Sequence, residues 1–498
     1  MKKYLKYGYI IVSILLVIPS VIYWIQNGTI NGFNLYFNFF LNDNTNKIIT
    51  TTCYLVLMII LATLYIIIIK NKNIFESIGN LIKYVGVINI IFILMTSWTL
   101  SDIFYYMGVG ELDGEYNKNP YYITIDQYYS ENVNDMNDEI MEQAKDNVWA
   151  NTTVVYGPVS QIIFKIFTQI SNKKIDVCLL VFKLVNSIIH ILNCYLIYVL
   201  SKKKIFSIIY GLNPLVLIEF IGNAHNDIIL VFFILLSIYF ILKKNNLKLS
   251  ILFLAFATGM KYFPIFLLPF LIIYYYRKNK KITNRILLCI QYGIIFLFFI
   301  ILEYAFYFRD FSILLGIITQ TSKYSKSIYS AILLKSGELM IFVRSMIICL
   351  FLVYYIKVFI EILIEDKIKW RDIIRKYNNI LLLAILILTT FQQWYLIWLF
   401  PTIIWEKNKK INNLIAITIV TELANTIYMY KSEWYIYDGI ISFSIKPLRL
   451  VGVLEMISIL VSILLCIYAI ISYMYHLNNL YAGWTSIMVA ITFFLEFK

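Results

Sequence analysis

The sequence predicts an all-α, polytopic transmembrane protein, and three observations carry that prediction. Hydrophobic residues make up 60% of the 498, and mean hydropathy is +0.75, too apolar for a soluble domain of this size. Apolar runs of about 18 residues or more recur from end to end, each able to cross a hydrocarbon core of about 30 Å. The runs are continuous, not alternating, so they read as helices and not as barrel strands, the other way to satisfy a backbone in lipid.

Full spans are expected at 8–25, 52–69, 83–100, 177–200, 285–302, 340–364, 411–429 and 450–473. The first follows Met1-Lys2-Lys3 without a clear small-residue cleavage site and reads as a retained anchor. Basic clusters separate the spans: Lys70 with Lys72, 202–204, Lys243 with Lys244 and Lys248, 277–281, 367–376 and 407–410. The positive-inside rule places them all in the cytoplasm, so the net charge of +14 reports topology and not a nucleic-acid partner. Six scattered cysteines, Cys53, Cys178, Cys194, Cys289, Cys349 and Cys466, form no close pair and indicate neither a metal knuckle nor a disulfide framework.

Three apolar stretches, 205–242, 249–276 and 379–405, have basic clusters on both sides and so enter and leave on the cytoplasmic side. Each is interrupted near its middle: by Asn213-Pro214 and then 222–227, by Lys261-Tyr262-Phe263-Pro264, and by Gln392-Gln393-Trp394-Tyr395. They read as re-entrant hairpins with outward tips. As one helix, the 28 residues of 249–276 reach about 42 Å, too short for two crossings, so the tips are expected to line a recessed, water-filled cavity. The competing reading of each is one long tilted helix. The count comes to about 11–15 spans in a single domain, 1–498.

The largest polar segment, 101–170, reads as the first large non-cytoplasmic loop. Between Asp102 and Asp146 it holds eleven acidic residues against Lys118 and Lys145. It closes with a short amphipathic or re-entrant helix beginning Tyr156-Gly157-Pro158.

Candidate chemistry gathers on that face. Asp102 stands at the outer end of an apolar run, where partial desolvation makes a carboxylate a better base; a solvated helix-terminal Asp is the plainer alternative. Tyr105, Tyr106, Asn119, Tyr121 and Tyr122 offer an aromatic sugar platform or an interfacial belt. His225, Asn226 and Asp227 at a hairpin tip suit sugar hydroxyls, or serve as a helix cap. A metal shared with Asp102 is not favoured, because one His lies nearby, and no cofactor is expected. Lys261, a lone cation in an apolar stretch, suits a phosphate, or snorkels to headgroups. Gln392, Gln393, Trp394 and Tyr395 furnish amides and rings at the third tip, and Arg309, Lys323 and Lys326 are weaker phosphate candidates. There is no Walker loop, GxGxxG, Ser/His/Asp set or His-rich cluster.

In order along the chain, these residues resemble a known group. Asp102 with Tyr105, Gly108 and Asn119-Pro120-Tyr121, then Tyr156-Gly157-Pro158, Asn213-Pro214-Leu215-Val216-Leu217, Gly222-Asn223-Ala224-His225-Asn226-Asp227, Lys261-Tyr262-Phe263-Pro264 and Gln393-Trp394-Tyr395-Leu396 are similar to motifs of polyprenol-phosphate-sugar-dependent glycosyltransferases with the C-type membrane fold. Within these they resemble bacterial alpha-mannosyltransferases that elongate lipid-linked mannans. Phe263 and Gln393 stand where that group has proline.

The resemblance implies a hexosyltransferase with the glycosyltransferase C-type fold, in the bacterial plasma membrane and cell envelope, with its active site on the non-cytoplasmic side. It implies a polyprenyl-phosphate sugar donor (mannose favoured), a glycan or glycolipid acceptor, and inversion. Asp102 would be the catalytic base, Lys261 the donor-phosphate ligand, and Tyr105, Tyr106, Asn119, Tyr121, Tyr156, His225, Asn226, Asp227, Tyr262, Gln393, Trp394 and Tyr395 substrate-binding residues. A flippase or transporter of lipid-linked sugars is the main rival, though no paired repeat is visible. A polysaccharide polymerase or ligase is the second rival, and a non-catalytic scaffold the third.

Overall fold

The computed structural model describes residues 2–31, 44–71, 73–97, 102–279, 285–321, 329, 333, 339–365 and 369–431. The expected span 450–473, with Lys323, Lys326 and Cys466, lies outside the described residues. Every regular element among the described residues is helical. Five helices are long and apolar enough to cross a membrane: α1 (Lys2–Asn27), Thr52–Lys70 within α2 (Asn44–Lys70), Ile175–Ser201, Ile286–Tyr304 and Met340–Ile364. A sixth is Lys204–Gly211 with Pro214–Gly222, counted as one span bent by 53°.

The third expected span, 83–100, is observed as α3 (Ile78–Ile93), started by Ser77, whose side chain accepts from the Asn80 N–H at 3.1 Å. It ends sooner than hydropathy suggests. Buried Lys183, from the helix Ile175–Ser201, donates to the Met95 carbonyl and approaches that of Ile93 at 3.5 Å. A cation on the last carbonyls of a helix satisfies groups that the ladder leaves open.

The polar segment after the third span folds around a second hydrophobic core that includes Met107, Leu112, Ile125, Met141 and Phe164. It begins with α4 (Asp102–Gly114), continues through α5 (Ile125–Asn132) and α6 (Glu139–Ala144), and closes with α7 (Pro158–Ser171), the short helix expected after Tyr156. A capping box between Thr124 and Gln127 starts α5. Asp138 starts α6 by accepting from the Ile140 and Met141 N–H groups, and it also takes the Tyr116 hydroxyl at 2.9 Å. Burial, with Asp138 alongside, pushes the Glu111 carboxyl up to about 9. Glu111 thus favours the folded segment at low pH, and that contribution is lost as pH rises from its ordinary range through about 9.

After α8 (Ile175–Ser201) come the three interrupted stretches. The first is α9 (Lys204–Gly211), then α10 (Pro214–Val216) running into a π-helix (Leu217–Gly222), then α11 (Asp227–Lys243). Pro214 cannot donate to the preceding turn. The freed groups are taken up locally: Tyr9 donates to the Leu212 carbonyl and Tyr65 to that of Ile209, each at 2.7 Å. Asn213 accepts from the Leu215 N–H and donates to Thr418 at 2.9 Å. This is how broken backbone survives at membrane depth.

The second stretch is α12 (Leu247–Thr258), a 3-10 turn (Phe263–Leu267) and α13 (Leu268–Lys278). The third is α17 (Trp370–Leu386), a 3-10 turn (Gln393–Leu399) and α18 (Phe400–Ile403), after α14 (Arg285–Tyr304), α15 (Leu315–Thr321) and α16 (Met340–Ile364). None of the three is one continuous helix, so the tilted-helix alternative is set aside. α19 (Asn408–Lys431) packs back against α2.

Candidate functional site

The tips of the first two interrupted stretches meet the start of α7, because backbones meet there without side chains between them. Gly157 donates to the Met260 carbonyl at 3.2 Å, and Val159 to that of Gly259 at 2.9 Å. A Cβ on Gly157 would lie 2.3 Å from the Gly259 oxygen. Glycine is therefore required at this seam. Ser160, next along α7, adds a bond to the Met260 carbonyl and takes the Asn226 amide, each at 3.3 Å. The first two hairpin tips are thus tied to one helix start.

Two cavities adjoin the seam. The smaller, about 50 Å3, is lined by Asp102, Tyr105, Trp149, Thr152, Tyr156 and Lys261, with Gln320 and the third tip's Thr390, Gln392, Trp394 and Tyr395. Asp102, the first residue of α4, accepts from the Trp149 indole N–H at 3.2 Å. The larger, about 500 Å3, shares Tyr156, Lys261 and Tyr395 with it and extends past Tyr262, Phe263 and Trp398 to Arg344 and Phe351 of α16.

Lys261 forms the common wall, and here the sequence reading needs correcting. It is not a lone cation: its ammonium lies 2.8 and 2.9 Å from the two carboxylate oxygens of Asp227. Asp227 also takes the Trp398 indole N–H at 2.7 Å. The rings of Tyr395, Tyr156 and Trp398 stand 5.2 to 5.5 Å from the same ammonium. Asp227 is wholly buried, which is affordable for a carboxylate only with such partners.

Behind the cavities lies a polar layer. The imidazole of His225 stacks on Trp394 with centroids 4.2 Å apart, and its Nδ1 pairs with the Tyr106 hydroxyl at 3.1 Å. Tyr156 in turn donates to Tyr106 at 3.4 Å. On its other side His225 Nε2 stands 3.5 Å from Glu219, in the π-helix. Glu219 accepts from Gln393 at 2.8 Å and from Asn223 at 3.0 Å. Ala224, between Asn223 and His225, holds a left-handed φ of 59° that a side chain rarely adopts. Such strain persists only where the surroundings impose it.

The predicted site residues therefore fall into three groups. Asp102, Tyr105, Tyr156, Lys261, Trp394 and Tyr395 line the smaller cavity, and Tyr262 the larger. Tyr106, His225, Asn226, Asp227 and Gln393 are buried behind those walls and hold them. Asn119 and Tyr121 belong to neither group, contrary to the sugar-platform reading. Asn119 donates to the Tyr307 carbonyl at 2.7 Å, and Tyr121 to the Tyr156 carbonyl at 2.8 Å. Both side chains are spent on holding the loop to its neighbours. Arg309 lies over the Tyr122 ring and lines neither cavity.

Trp149, Thr152, Gln320 and Thr390 were not singled out, and nothing in their spacing marks them. Glu219 and Arg344 did carry a signal, since each is an isolated charge in an apolar run. Among the described residues, no group of three His, Cys, Asp or Glu is arranged to hold a metal ion.

Residues 31–277 match the family model described as "Alpha-(1->6)-mannopyranosyltransferase, N-terminal domain". That stretch contains Asp102, the first two hairpins and Lys261, and stops before the third. GPI mannosyltransferase 1 of Candida albicans is 27% identical over 155 residues, covering 28% of this chain and 38% of that protein. The chain thus spans about two fifths of the length of this curated relative. No solved structure matches. The resemblance drawn from the motifs is borne out as a likeness over residues 31–277, and the chain is a helical multi-pass membrane protein.

Proposed function

We propose that this chain, whose residues 31–277 belong to the alpha-(1->6)-mannopyranosyltransferase N-terminal-domain family, moves mannose from a polyprenyl-phosphate donor to a hydroxyl of a glycan or glycolipid at the non-cytoplasmic face. The observation that carries the proposal is the shared wall: Asp102 and Lys261 line one small polar cavity, and Lys261 also lines a wide apolar one. A sugar-lipid needs both environments at once, because its reacting carbon sits between a polyol and a hydrocarbon tail.

Asp102 accepts the proton of the acceptor hydroxyl. The acceptor oxygen forms its bond to the anomeric carbon on the face opposite the phosphate, and the bond from that carbon to the phosphate oxygen breaks. Its electron pair stays on the polyprenyl phosphate, and the sugar's configuration inverts. Trp149 holds the carboxylate toward the cavity through the oxygen it bonds. The rings of Tyr105, Tyr156, Trp394 and Tyr395 supply faces for the sugar, since pyranose C–H groups stack on aromatic rings. Lys261, fixed by Asp227, aligns the wall that the polar and the apolar cavity share.

The test uses membranes containing the wild-type chain or Asp102→Asn, given labelled polyprenyl-phosphate mannose. Loss of a proton acceptor is expected to lower transfer by about 10²- to 10⁴-fold. Equal transfer by both removes Asp102 as base. Movement of the labelled lipid across the bilayer without transfer replaces the proposal with a flippase, and movement of whole glycans with a ligase.

A further inference from the structure

We infer that Arg344 is the principal ligand of the donor's phosphate, and that the apolar cavity between the second hairpin tip and α16 seats the first isoprenoid units behind it. The inference rests on the donor class proposed above.

Among the described residues, two cations line the larger cavity, Lys261 and Arg344. They differ in what already neutralises them. Lys261 is bound by both oxygens of Asp227, so the pair brings little net charge to an incoming anion. Arg344 has no ion-pair or hydrogen-bond partner among the described residues. It is the fifth residue of α16 and the sole charge between Met340 and Ile356. An unpaired guanidinium in an apolar span is costly, and it is found where a function uses it.

Snorkelling to the headgroups would also explain an Arg near a helix end. Here, however, the side chain lines a cavity of about 500 Å3 whose other walls are largely apolar, among them Phe263, Phe266, Ile348, Phe351 and Leu388. Among the described residues, no Asp or Glu lines that space. A cation at one end of an apolar chamber fits one occupant: an anionic head on a hydrocarbon tail. A guanidinium matches a phosphate with two parallel N–H donors, which an ammonium does not. The tail has a way in, because Ile341, Phe342, Met346 and Leu350 leave much of this part of α16 exposed, as a lipid-facing helix would be. Lys261 then acts as a positioning residue that aligns the wall.

The shared chemistry, phosphate plus hydrocarbon, also belongs to ordinary phospholipids, and the experiment separates the two. The purified full-length chain in detergent is titrated with farnesyl phosphate, with farnesol, and with a short-chain phosphatidylglycerol. Wild type is expected to bind farnesyl phosphate at least tenfold more tightly than either of the others.

Arg344→Gln should weaken farnesyl phosphate by about tenfold to a hundredfold, the usual range for a lost charge-assisted bond. Farnesol binding should stay unchanged, which reports that the cavity is still folded. Arg344→Lys should recover part of the loss, and Lys357→Gln, farther along the same helix, should bind farnesyl phosphate as the wild type does. Unchanged farnesyl phosphate binding in Arg344→Gln overturns the role of Arg344 and leaves the donor class standing. Wild type that prefers neither farnesyl phosphate over farnesol nor over phosphatidylglycerol overturns the donor class as well.

Discussion

On the Asp102 side of Lys261 the space is about 50 Å3, walled by indoles, amides and hydroxyls; on the α16 side it is about ten times larger and mostly apolar. The two sides also differ in how their charges are held. Asp227 and Lys261 are locked together behind the wall, with Trp398 on the carboxylate. Arg344 lines a largely apolar cavity and has no ion-pair partner among the described residues. The contrast teaches that the paired charges are architecture and the cavity-facing ones are chemistry. A buried ion pair fixes geometry, whereas a charge left for a ligand must stay uncompensated until the ligand arrives.

The sharpest way to break this comparison is to dissolve the wall. Asp227→Asn leaves the Lys261 ammonium beside a neutral amide and is expected to cost about 3–5 kcal/mol of stability, as when one partner of a buried pair is removed. Thermal unfolding in detergent measures it. The double change Asp227→Leu with Lys261→Met should regain most of the loss, since the pair would then be replaced by packing. If the single change alters transfer and not stability, Asp227 is chemistry after all.

A smaller effect is expected at the seam between the cavities. Gly157→Ala drives a methyl into the Gly259 carbonyl, so the two loops must part, at about 1–3 kcal/mol. Resistance of the outer segment to limited proteolysis reports it, and unchanged resistance would mean the seam yields freely. The smallest effect belongs to the polar side alone. Trp149→Phe keeps the ring and removes the bond to Asp102, a net loss of about 0.5–1.5 kcal/mol, or roughly two- to twelvefold in rate. It should lower kcat with little change in KM, and farnesyl phosphate binding should not move.

Much of the layout was legible because it follows from the bilayer as solvent. Apolar length announced the spans, and Pro214, Pro264 and the Gln392-Gln393 pair the interruptions. The errors share one cause. Tyr121, Asn119 and Lys261 are polar groups on the expected face, and sequence reasoning offered each of them to a ligand. In the fold, Tyr121 and Asn119 meet backbone carbonyls and Lys261 meets Asp227, 34 residues away in the chain. Arg344 shows the reverse: its isolation in an apolar run was visible, but not that it shares a cavity with a lysine 83 positions earlier.

The sequence alone determined that this chain is a helical membrane protein and that its apolar stretches break where they do. Those properties depend on transfer free energies and backbone rules that act within a few residues. Which polar side chains are spent on one another and which face an open space was decided by the tertiary structure. A hydrogen bond or an ion pair consumes a group only when distant segments meet, and the glycine seam at 157 and 259 is where this chain brings them together.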